Sequence, residues 1–457
     1  MQYRTKVAIV YLLGFFIDLI NMFITNVAYP AIGLALNASV DQLTWVSTSY
    51  ILGLILITPI SAWLALRIGG RRVFLLSLTL FIVTTALAGF ANSIELLIGL
   101  RLLQGLSGGL LIPIGQTLTY QLYASHERAR LSSIIMLVGL LAPALSPALG
   151  GLIVDQLNWR WVFFVNLPLT LIALVLAFVW LRSDKVSFPK DSHFLDVRGL
   201  AIASVGLTLL LLGLDWLAVP NKLFGALILL ITAVAVLVYY VRHSFRHPKP
   251  LLDLGLIRNP LLRISMMVYL FIPGVFMGVN LIAMMYLQMQ LGMSASSVGV
   301  LMIPWSLSAF LAIMLVGKLF NYYGPKPLFM LGCLIQGIGI LCLSQITMVD
   351  QPLLLLISFS LMGFGGSLCS SAAQSSAFLT IDCVSLADAS AIWNINRQFS
   401  FCVGVAVMSL ILQLLQMTVD SLSAYQISFY LAAAVTAVPF LLCLYIDNKA
   451  VLKKINA

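Results

Sequence analysis

Residues 105–110 read Gly-Leu-Ser-Gly-Gly-Leu, and residues 363–368 read Gly-Phe-Gly-Gly-Ser-Leu. A second pair of segments, 63–72 (Trp-Leu-Ala-Leu-Arg-Ile-Gly-Gly-Arg-Arg) and 318–327 (Lys-Leu-Phe-Asn-Tyr-Tyr-Gly-Pro-Lys-Pro), is separated by almost the same distance along the chain. Two pairs in the same register indicate an internal duplication. Duplicated apolar chains are typical of membrane transporters.

The composition is that of a polytopic membrane protein. Hydrophobic residues make up 61% of the 457 residues, charged residues only 9%, and the mean hydropathy is +1.07. Soluble domains carry about 25% charged residues. Apolar runs long enough to cross a bilayer recur along the chain. The fourteen predicted spans are 7–30, 42–66, 73–92, 95–123, 129–154, 161–181, 199–217, 223–241, 262–288, 296–320, 327–346, 352–378, 388–416 and 425–446.

The repeat and the spans together predict three parts. Residues 1–182 form an amino-terminal bundle of six helices, and residues 261–457 form a matching carboxy-terminal bundle. Residues 183–260 contribute an inserted hairpin of two helices with its linkers, because a turn-forming cluster at 215–222 separates the seventh and eighth spans. The expected fold is all-α. The first span is too long for the apolar core of a signal peptide and is expected to be retained.

The net charge of +10 reports topology and not a nucleic-acid partner. If the amino terminus is cytoplasmic, nearly all lysines and arginines fall on the cytoplasmic side of the membrane, as the positive-inside rule requires. Only Arg160 and Lys222 fall outside, and Arg101 and Arg397 fall within or at the edge of spans. We therefore expect a multi-pass protein of the bacterial inner membrane with both termini in the cytoplasm.

Asp18 is the carboxylate that the predicted spans place deep in the bilayer. A charged side chain at a helix centre costs about 2.5 to 3.5 kcal/mol on insertion scales, so it is usually functional. We predict that Asp18 binds and releases a proton; a purely structural ion pair is the alternative. The histidines fall in predicted breaks, and the six cysteines have no metal-site spacing. No metal or cofactor is expected, and the proton gradient is the expected energy source.

Four other side chains within spans have two interpretations each. Arg101 either takes part in proton coupling or extends toward the membrane surface. Arg397 lies either within the membrane or near its cytoplasmic interface. Trp305 and Trp393 lie inside spans, unlike tryptophans of an interfacial belt, and either stack on a substrate or pack in the core.

The residues of several segments resemble the major facilitator superfamily, and within it the fourteen-helix drug/proton antiporter family. Residues 62–72, with Arg67, Gly69, Arg71 and Arg72, are similar to its G-x-L-x-D-R-x-G-R-R signature, although Ala62 and Leu66 replace the usual Gly and Asp. The loss of that Asp removes the charge pair usual in gating. Residues 101–105 resemble the R-x-x-Q-G motif, whose arginine is associated with proton coupling.

Further motifs extend the resemblance over the whole chain. Residues 139–151 are similar to the glycine- and proline-rich antiporter motif, with Pro143, Pro147, Gly150 and Gly151, although Ser146 replaces a more usual Gly. The stretches 159–168, 286–299 and 394–398 resemble the fourteen-helix branch. Gly105 belongs to both a motif and the repeat. The resemblance implies two bundles around a cavity that opens alternately to each side. The candidates for lining this cavity are Asn21, Asn26, Gln104, Gln116, Gln288, Trp305, Trp393, Asn394 and Arg397.

The expected function is proton-coupled export of amphipathic small molecules, either cationic or aromatic. No nucleotide-binding loop of the G-x-x-x-x-G-K-[ST] type occurs, so a secondary carrier is expected and not an ATP-driven pump. Export of one metabolite or siderophore is an alternative, and a non-transporting membrane sensor is another. An enzyme is not expected. The expected partners are the small-molecule substrate, protons and the lipid bilayer; a periplasmic adaptor protein is left open, and the chain is expected to act as a monomer.

Overall fold

The computed structural model describes residues 1–182, 195–217, 219, 222–248, 250–348 and 351–456. Throughout this part of the chain the regular structure is helical. The first half contains α1 (Tyr3–Val27), α2 (Tyr29–Leu36), α3 (Val40–Ile57), α4 (Ser61–Ile68), α5 (Gly70–Gly89), α6 (Ile94–Gly108), α7 (Leu111–Tyr120), α8 (Ser125–Gln156), α9 (Trp161–Phe164) and α10 (Asn166–Trp180).

The middle and the second half continue the same pattern. The hairpin consists of α11 (Val197–Leu217) and α12 (Leu223–Arg246). The second half contains α13 (Pro260–Tyr269), α14 (Val275–Met285), α15 (Ala295–Val300), α16 (Met302–Tyr323), α17 (Pro325–Ser344), α18 (Pro352–Ala377), α19 (Leu386–Gln416), α20 (Ser421–Val435), α21 (Ala437–Cys443) and α22 (Asn448–Asn456). Short 3₁₀ segments lie at Thr58–Ile60, Leu254–Arg258 and Cys383–Ser385, and π-helical turns at Leu270–Gly274 and Tyr286–Gln290.

Thirteen segments among the described residues are long and apolar enough to cross a membrane. They match thirteen of the spans expected from the sequence. The fifth expected span, 129–154, falls within α8, a helix of 32 residues. The described chain is therefore an all-helical, multi-pass membrane protein. The three-part division at 182 and 260 stays a prediction, because residues 183–194 lie outside the described structure.

The internal repeat has a structural counterpart at the glycines. Gly69 and Gly324 separate consecutive helices, and both adopt positive φ, 89° and 72°. A Cβ atom on Gly105 would lie 2.1 Å from the backbone oxygen of Tyr50, and one on Gly363 would lie 2.3 Å from that of Trp305. Only glycine allows backbones to approach so closely. The glycine segments therefore hold equivalent helix pairs together, α3 with α6 in the first half and α16 with α18 in the second.

The inserted hairpin packs along the join between the two halves. Helix α11 contacts α3 of the first half and α19 of the second. Leu214 and Leu217 form an apolar cluster with Ala406 of α19. The hairpin therefore covers a seam between the bundles instead of standing apart in the lipid.

Candidate functional site

A buried polar cluster lies inside the first half, where α1, α3 and α6 meet. The Tyr50 hydroxyl donates a hydrogen bond to Asp18 Oδ1 at 2.5 Å. The guanidinium carbon of Arg101 lies 4.2 Å from the centre of the Tyr50 ring, in cation–π contact. All three side chains are fully buried. Tyr50 is thus placed between the carboxyl group and the guanidinium and contacts both.

Gln104 connects this cluster to a second residue of α1 and to one further helix, α5. Arg101 Nη1 donates to Gln104 Oε1 at 2.8 Å, and Arg101 Nε donates to the backbone oxygen of Val46 at 3.1 Å. Gln104 Nε2 in turn donates to Asn21 Oδ1 at 3.1 Å and to Thr85 Oγ1 at 2.7 Å. A continuous hydrogen-bond network therefore joins Arg101 to α1 and α5.

Some polar atoms of the cluster have no hydrogen-bond partner among the described residues. They are Asp18 Oδ2, Asn21 Nδ2 and Arg101 Nη2. Asp18 and Arg101 also form no direct ion pair with each other within 4.0 Å. An unpaired buried polar atom costs about 1 to 3 kcal/mol, and more when charged, so such atoms commonly have a functional explanation. A carboxyl group with one free oxygen can bind and release a proton here.

The glycine segment 105–110 makes room for this cluster. Gly105 allows α6 to touch the backbone at Tyr50, as described above. A Cβ atom on Gly108 would lie 2.8 Å from Asp18 Oδ1 and 3.1 Å from the Tyr50 hydroxyl. The absence of side chains at these two positions lets the carboxyl and the hydroxyl pack against the backbone of α6.

A separate cavity lies between the two halves. Its volume is about 950 Å³, counting the space that is open to the outside. Phe276 and Trp305 stack in its wall with ring centres 5.3 Å apart and an interplanar angle of 7°. Arg397 also lines it and lies over the Phe15 ring, 5.3 Å from the ring centre. Most other lining side chains are aromatic, aliphatic or methionine, which is the usual lining of a small-molecule site.

One side of this cavity is closed by contacts between the halves. We call this side the basic face, because it carries Arg4, Arg128 and Lys326. Among the described residues, six hydrogen bonds that involve side chains join the halves there, namely Gln121–Cys383, Arg128–Phe378, Ser133–Ser371, Asn321–His126, Gln374–Tyr120 and Asn394–Gln116. Along α8 the cavity begins only beyond Ser133, at Met136. The cavity therefore lies away from the basic face, behind a closed contact layer.

The structure distributes the predicted cavity residues over several places. Trp305 and Arg397 line the cavity. Asn21 and Gln104 instead belong to the buried cluster of the first half. Gln116 and Asn394 hydrogen-bond to each other across the halves at 3.0 Å.

The remaining predicted cavity residues also lie elsewhere. Trp393 Nε1 donates to Gln374 at 2.7 Å in the closed contact layer. Gln288 is exposed near the end of its span, beyond the cavity. The side chain of Asn26 lies outside the described structure. Apart from Arg397, the described candidates on α1, α6, α7 and α19 thus face the bundle interior or the opposite half, because a helix can direct only one of its sides to the cavity.

Sequence reasoning missed most of the aromatic residues of these sites, including two that contact predicted site residues. Tyr50 was not among the candidates, although it links Asp18 to Arg101. Phe276 was not among them either, although it stacks on Trp305. The repeat contained a signal for Tyr50, because Tyr50 and Trp305 are the residues that face Gly105 and Gly363 in equivalent helix pairs.

The motif residues have mostly structural positions. Arg71 Nη2 donates to the Phe178 backbone oxygen at 2.9 Å and so connects α5 to α10. Arg67 and Arg72 are exposed. Pro143 lines the cavity.

The paired glycines of α8, Gly150 and Gly151, have different surroundings. A Cβ on Gly150 would lie 3.1 Å from Ile24, whereas one on Gly151 would meet nothing within 4 Å. Adjacent helical residues point about 100° apart, so only Gly150 faces α1. The side chain of Pro147 lies outside the described structure.

A group of possible metal ligands lies at the base of the hairpin. The ligand atoms of Asp196, His243 and His247 lie within 4.8 Å of one another. Asp196 already accepts hydrogen bonds from the Gly199 N–H at 2.7 Å and from His243 Nε2 at 2.9 Å. Burial acts to raise the pKa of Asp196, but these hydrogen bonds outweigh it and lower the pKa below its usual value. The helix cap and the hydrogen bond between α11 and α12 account for this arrangement without an ion.

The sequence of this chain is similar to those of known membrane transporters. The sequence profile of the Major Facilitator Superfamily matches residues 11–405. The chain is 30% identical to the multidrug resistance protein B homolog of Mycobacterium tuberculosis over 374 residues, which cover 80% of this chain and 68% of the relative. It is 24% identical to the putative multidrug resistance protein MdtD of Klebsiella pneumoniae, covering 94% of this chain and 92% of the relative.

Solved structures have the same fold. The human organic anion transporter MFSD10 superposes with a TM-score of 0.70 at 16% identity, covering 97% of this chain and all of the other. The proton:xylose symporter XylE superposes with a TM-score of 0.66 at 14% identity, covering 96% and 94%. At these identities the likeness concerns the fold alone.

Proposed function

Because this chain belongs to the major facilitator superfamily and is a membrane transporter, we propose that it exports amphipathic aromatic small molecules in exchange for protons. The observation that carries the proposal is the pairing of an aromatic cavity between the halves with a buried carboxyl, Asp18, in the first half. The printed names of its bacterial relatives, which are multidrug resistance and multidrug transporter proteins, support drug-like substrates.

Alternating access is the proposed mechanism. The contact layer at the basic face closes the cavity on that side, which the positive-inside rule assigns to the cytoplasm. Breaking its six hydrogen bonds and closing the opposite side would turn the cavity toward the cytoplasm. Five of these bonds join neutral groups and are worth about 0.5 to 1.5 kcal/mol each, whereas the bond from the charged Arg128 is worth about 1.5 to 3 kcal/mol. A substrate or a proton can shift such a balance.

Proton coupling is assigned to Asp18, with Tyr50 and Arg101 as its partners. An ionised Asp18 accepts the hydrogen bond from the Tyr50 hydroxyl, whereas a protonated Asp18 can donate one to it. The Tyr50 ring is in cation–π contact with the Arg101 guanidinium. The network continues through Gln104 to α1 and α5. A change of charge at Asp18 therefore reaches three neighbouring helices through direct contacts.

The experiment for this proposal uses inverted membrane vesicles that contain the protein and a pH-sensitive dye. After energisation, addition of an amphipathic aromatic compound is expected to release protons from the vesicle lumen, with uptake of the compound in return. Vesicles without the protein are the control. Uptake of the compound without proton movement would contradict coupling, and the absence of uptake for every aromatic compound would contradict drug export.

Tyr50→Phe tests the proposed coupling partner. The substitution removes the hydroxyl that donates to Asp18 and keeps the ring beneath Arg101. A hydrogen bond to a charged group is worth about 1.5 to 3 kcal/mol, so the rate of substrate-driven proton release is expected to fall roughly 10- to 100-fold. Tyr286→Phe is the matched control, because its buried hydroxyl donates to the Ile346 backbone oxygen in the other half. Equal proton release in both variants would exclude a role for the Tyr50 hydroxyl.

A further inference from the structure

Arg397 is the charged side chain of the cavity. Among the described lining residues there is no Asp, Glu, Lys or His beside it. Its guanidinium lies over the Phe15 ring and makes no hydrogen bond to a side chain or backbone group of the described structure. We propose that the cavity selects amphipathic anions, in which an aromatic body carries a single oxyanionic group such as a carboxylate or sulfonate. This inference rests on the proposed function, because it concerns the substrate of the same cavity.

The carboxylates of the lining helices point elsewhere. Asp18 of α1 is fully buried and hydrogen-bonded to Tyr50, and its charge interacts with those of Arg397 and Arg101, but it does not line the cavity, as its neighbours Phe15 and Leu19 do. Glu127 of α8 forms an ion pair with Arg4 at 2.7 Å on the basic face.

The other acidic residues of these helices lie near helix ends. Asp155 is exposed near the far end of α8. Asp388 lies in the first turn of α19, near the basic face. A cation in the cavity would therefore find no carboxylate in the described lining and would be repelled by Arg397. The expectation of cationic substrates thus has no acidic partner here, whereas the expectation of aromatic ones has Phe276 and Trp305.

The guanidinium is well suited to an oxyanion. It offers five N–H donors in a rigid plane, and a carboxylate or sulfonate can accept two of them in parallel. The apolar walls exclude competing water and strengthen the contact. The stacked pair of Phe276 and Trp305 offers a flat apolar surface to the aromatic part of the same molecule. The two features together define a ligand with one anionic end and one aromatic body.

The test compares the binding of three compounds that share one aromatic group and are anionic, neutral or cationic. Pyrenebutyrate, pyrenebutyramide and pyrenebutyl-trimethylammonium are titrated separately into the full-length protein in nanodiscs, and energy transfer from tryptophan to pyrene is recorded. The variants are Arg397→Gln and Arg397→Lys. Arg263→Gln, at an exposed arginine of α13, is the matched control. Thermal unfolding of each variant checks that it is folded.

The anion is expected to bind unmodified protein about 10- to 100-fold more tightly than the amide, and the cation more weakly than the amide. Arg397→Gln is expected to remove the advantage of the anion and leave amide binding unchanged, while Arg397→Lys retains part of it. Arg263→Gln is expected to change nothing. Tighter binding of the cation, or an anion preference that survives Arg397→Gln, would overturn the inference. In the first of these cases the proposed export function would still stand. If none of the three compounds binds the folded protein, the inference fails, whereas the proposed function fails only if the vesicles take up no aromatic compound.

Discussion

Replacement of Asp18 with asparagine is expected to abolish substrate-driven proton release while the protein still folds and binds its substrate. Asparagine keeps the shape of the carboxyl and an oxygen that accepts the Tyr50 hydrogen bond, but it cannot take up a proton. A neutral amide is also easier to bury than a carboxylate in a site that is 0% exposed. The effect should therefore be on coupling and not on stability.

The size of the expected effect follows from the membrane potential. One charge that crosses the membrane is worth about 2.3 kcal/mol per 100 mV, so one proton at ~150 mV can sustain roughly a 300-fold substrate gradient. The Asp18→Asn variant is expected to lose this entire gradient. It should still equilibrate substrate across the membrane, because alternating access itself needs no proton.

The measurement combines dye-reported proton release with substrate accumulation in inverted vesicles. Asp155→Asn is the matched control, because it neutralises an exposed carboxylate near the end of α8 and should behave like the unmodified protein. Proton release that persists in Asp18→Asn would place the coupling group elsewhere. If a folded Asp18→Asn variant lost both substrate binding and proton release, Asp18 would maintain the cavity instead of carrying the proton.

Much of the fold could be predicted from the sequence, because helix length in a membrane follows directly from apolar run length. The expected span 352–378 corresponds to α18, Pro352–Ala377, and the expected span 199–217 lies within α11, Val197–Leu217. The repeat could be found because close helix contacts require glycine at fixed positions, and Gly105 and Gly363 occupy such positions in equivalent helix pairs.

The site could be predicted only in part. Asp18 and Arg101 are recognisable because charges inside an apolar span are rare. The partner Tyr50 is not, since an aromatic residue in a span is equally compatible with packing. Gln116 and Asn394 were expected to line the cavity, yet they hydrogen-bond to each other in the contact layer between the halves. Which polar side of a helix faces the cavity depends on how the two halves close on each other, and this is not encoded in the local pattern.

The second large effect concerns the glycine that joins α3 to α6. We expect Gly105→Ala to destabilise the protein by about 3 kcal/mol or more, at the upper end of what overpacking usually costs. The reason is that the added Cβ would lie 2.1 Å from the Tyr50 backbone oxygen and 3.1 Å from Gly53 Cα. Neither contact can be relieved by rotating a side chain, so the two helices must move apart and carry Tyr50 away from Gly108 and Asp18.

Gly99→Ala provides the matched control within the same helix. Gly99 is exposed on α6, and a Cβ there would meet nothing within 4 Å, so alanine should raise stability by roughly 0.4 to 1 kcal/mol by restricting the unfolded chain. Thermal unfolding in detergent should therefore move in opposite directions for the two substitutions. Gly363→Ala should follow Gly105→Ala, because its Cβ would lie 2.3 Å from the Trp305 backbone oxygen. If Gly105→Ala were as stable as Gly99→Ala, the close contact of α3 and α6 would not be a determinant of this fold. A loss confined to one of the two motif glycines would show that the halves do not depend on equivalent helix contacts.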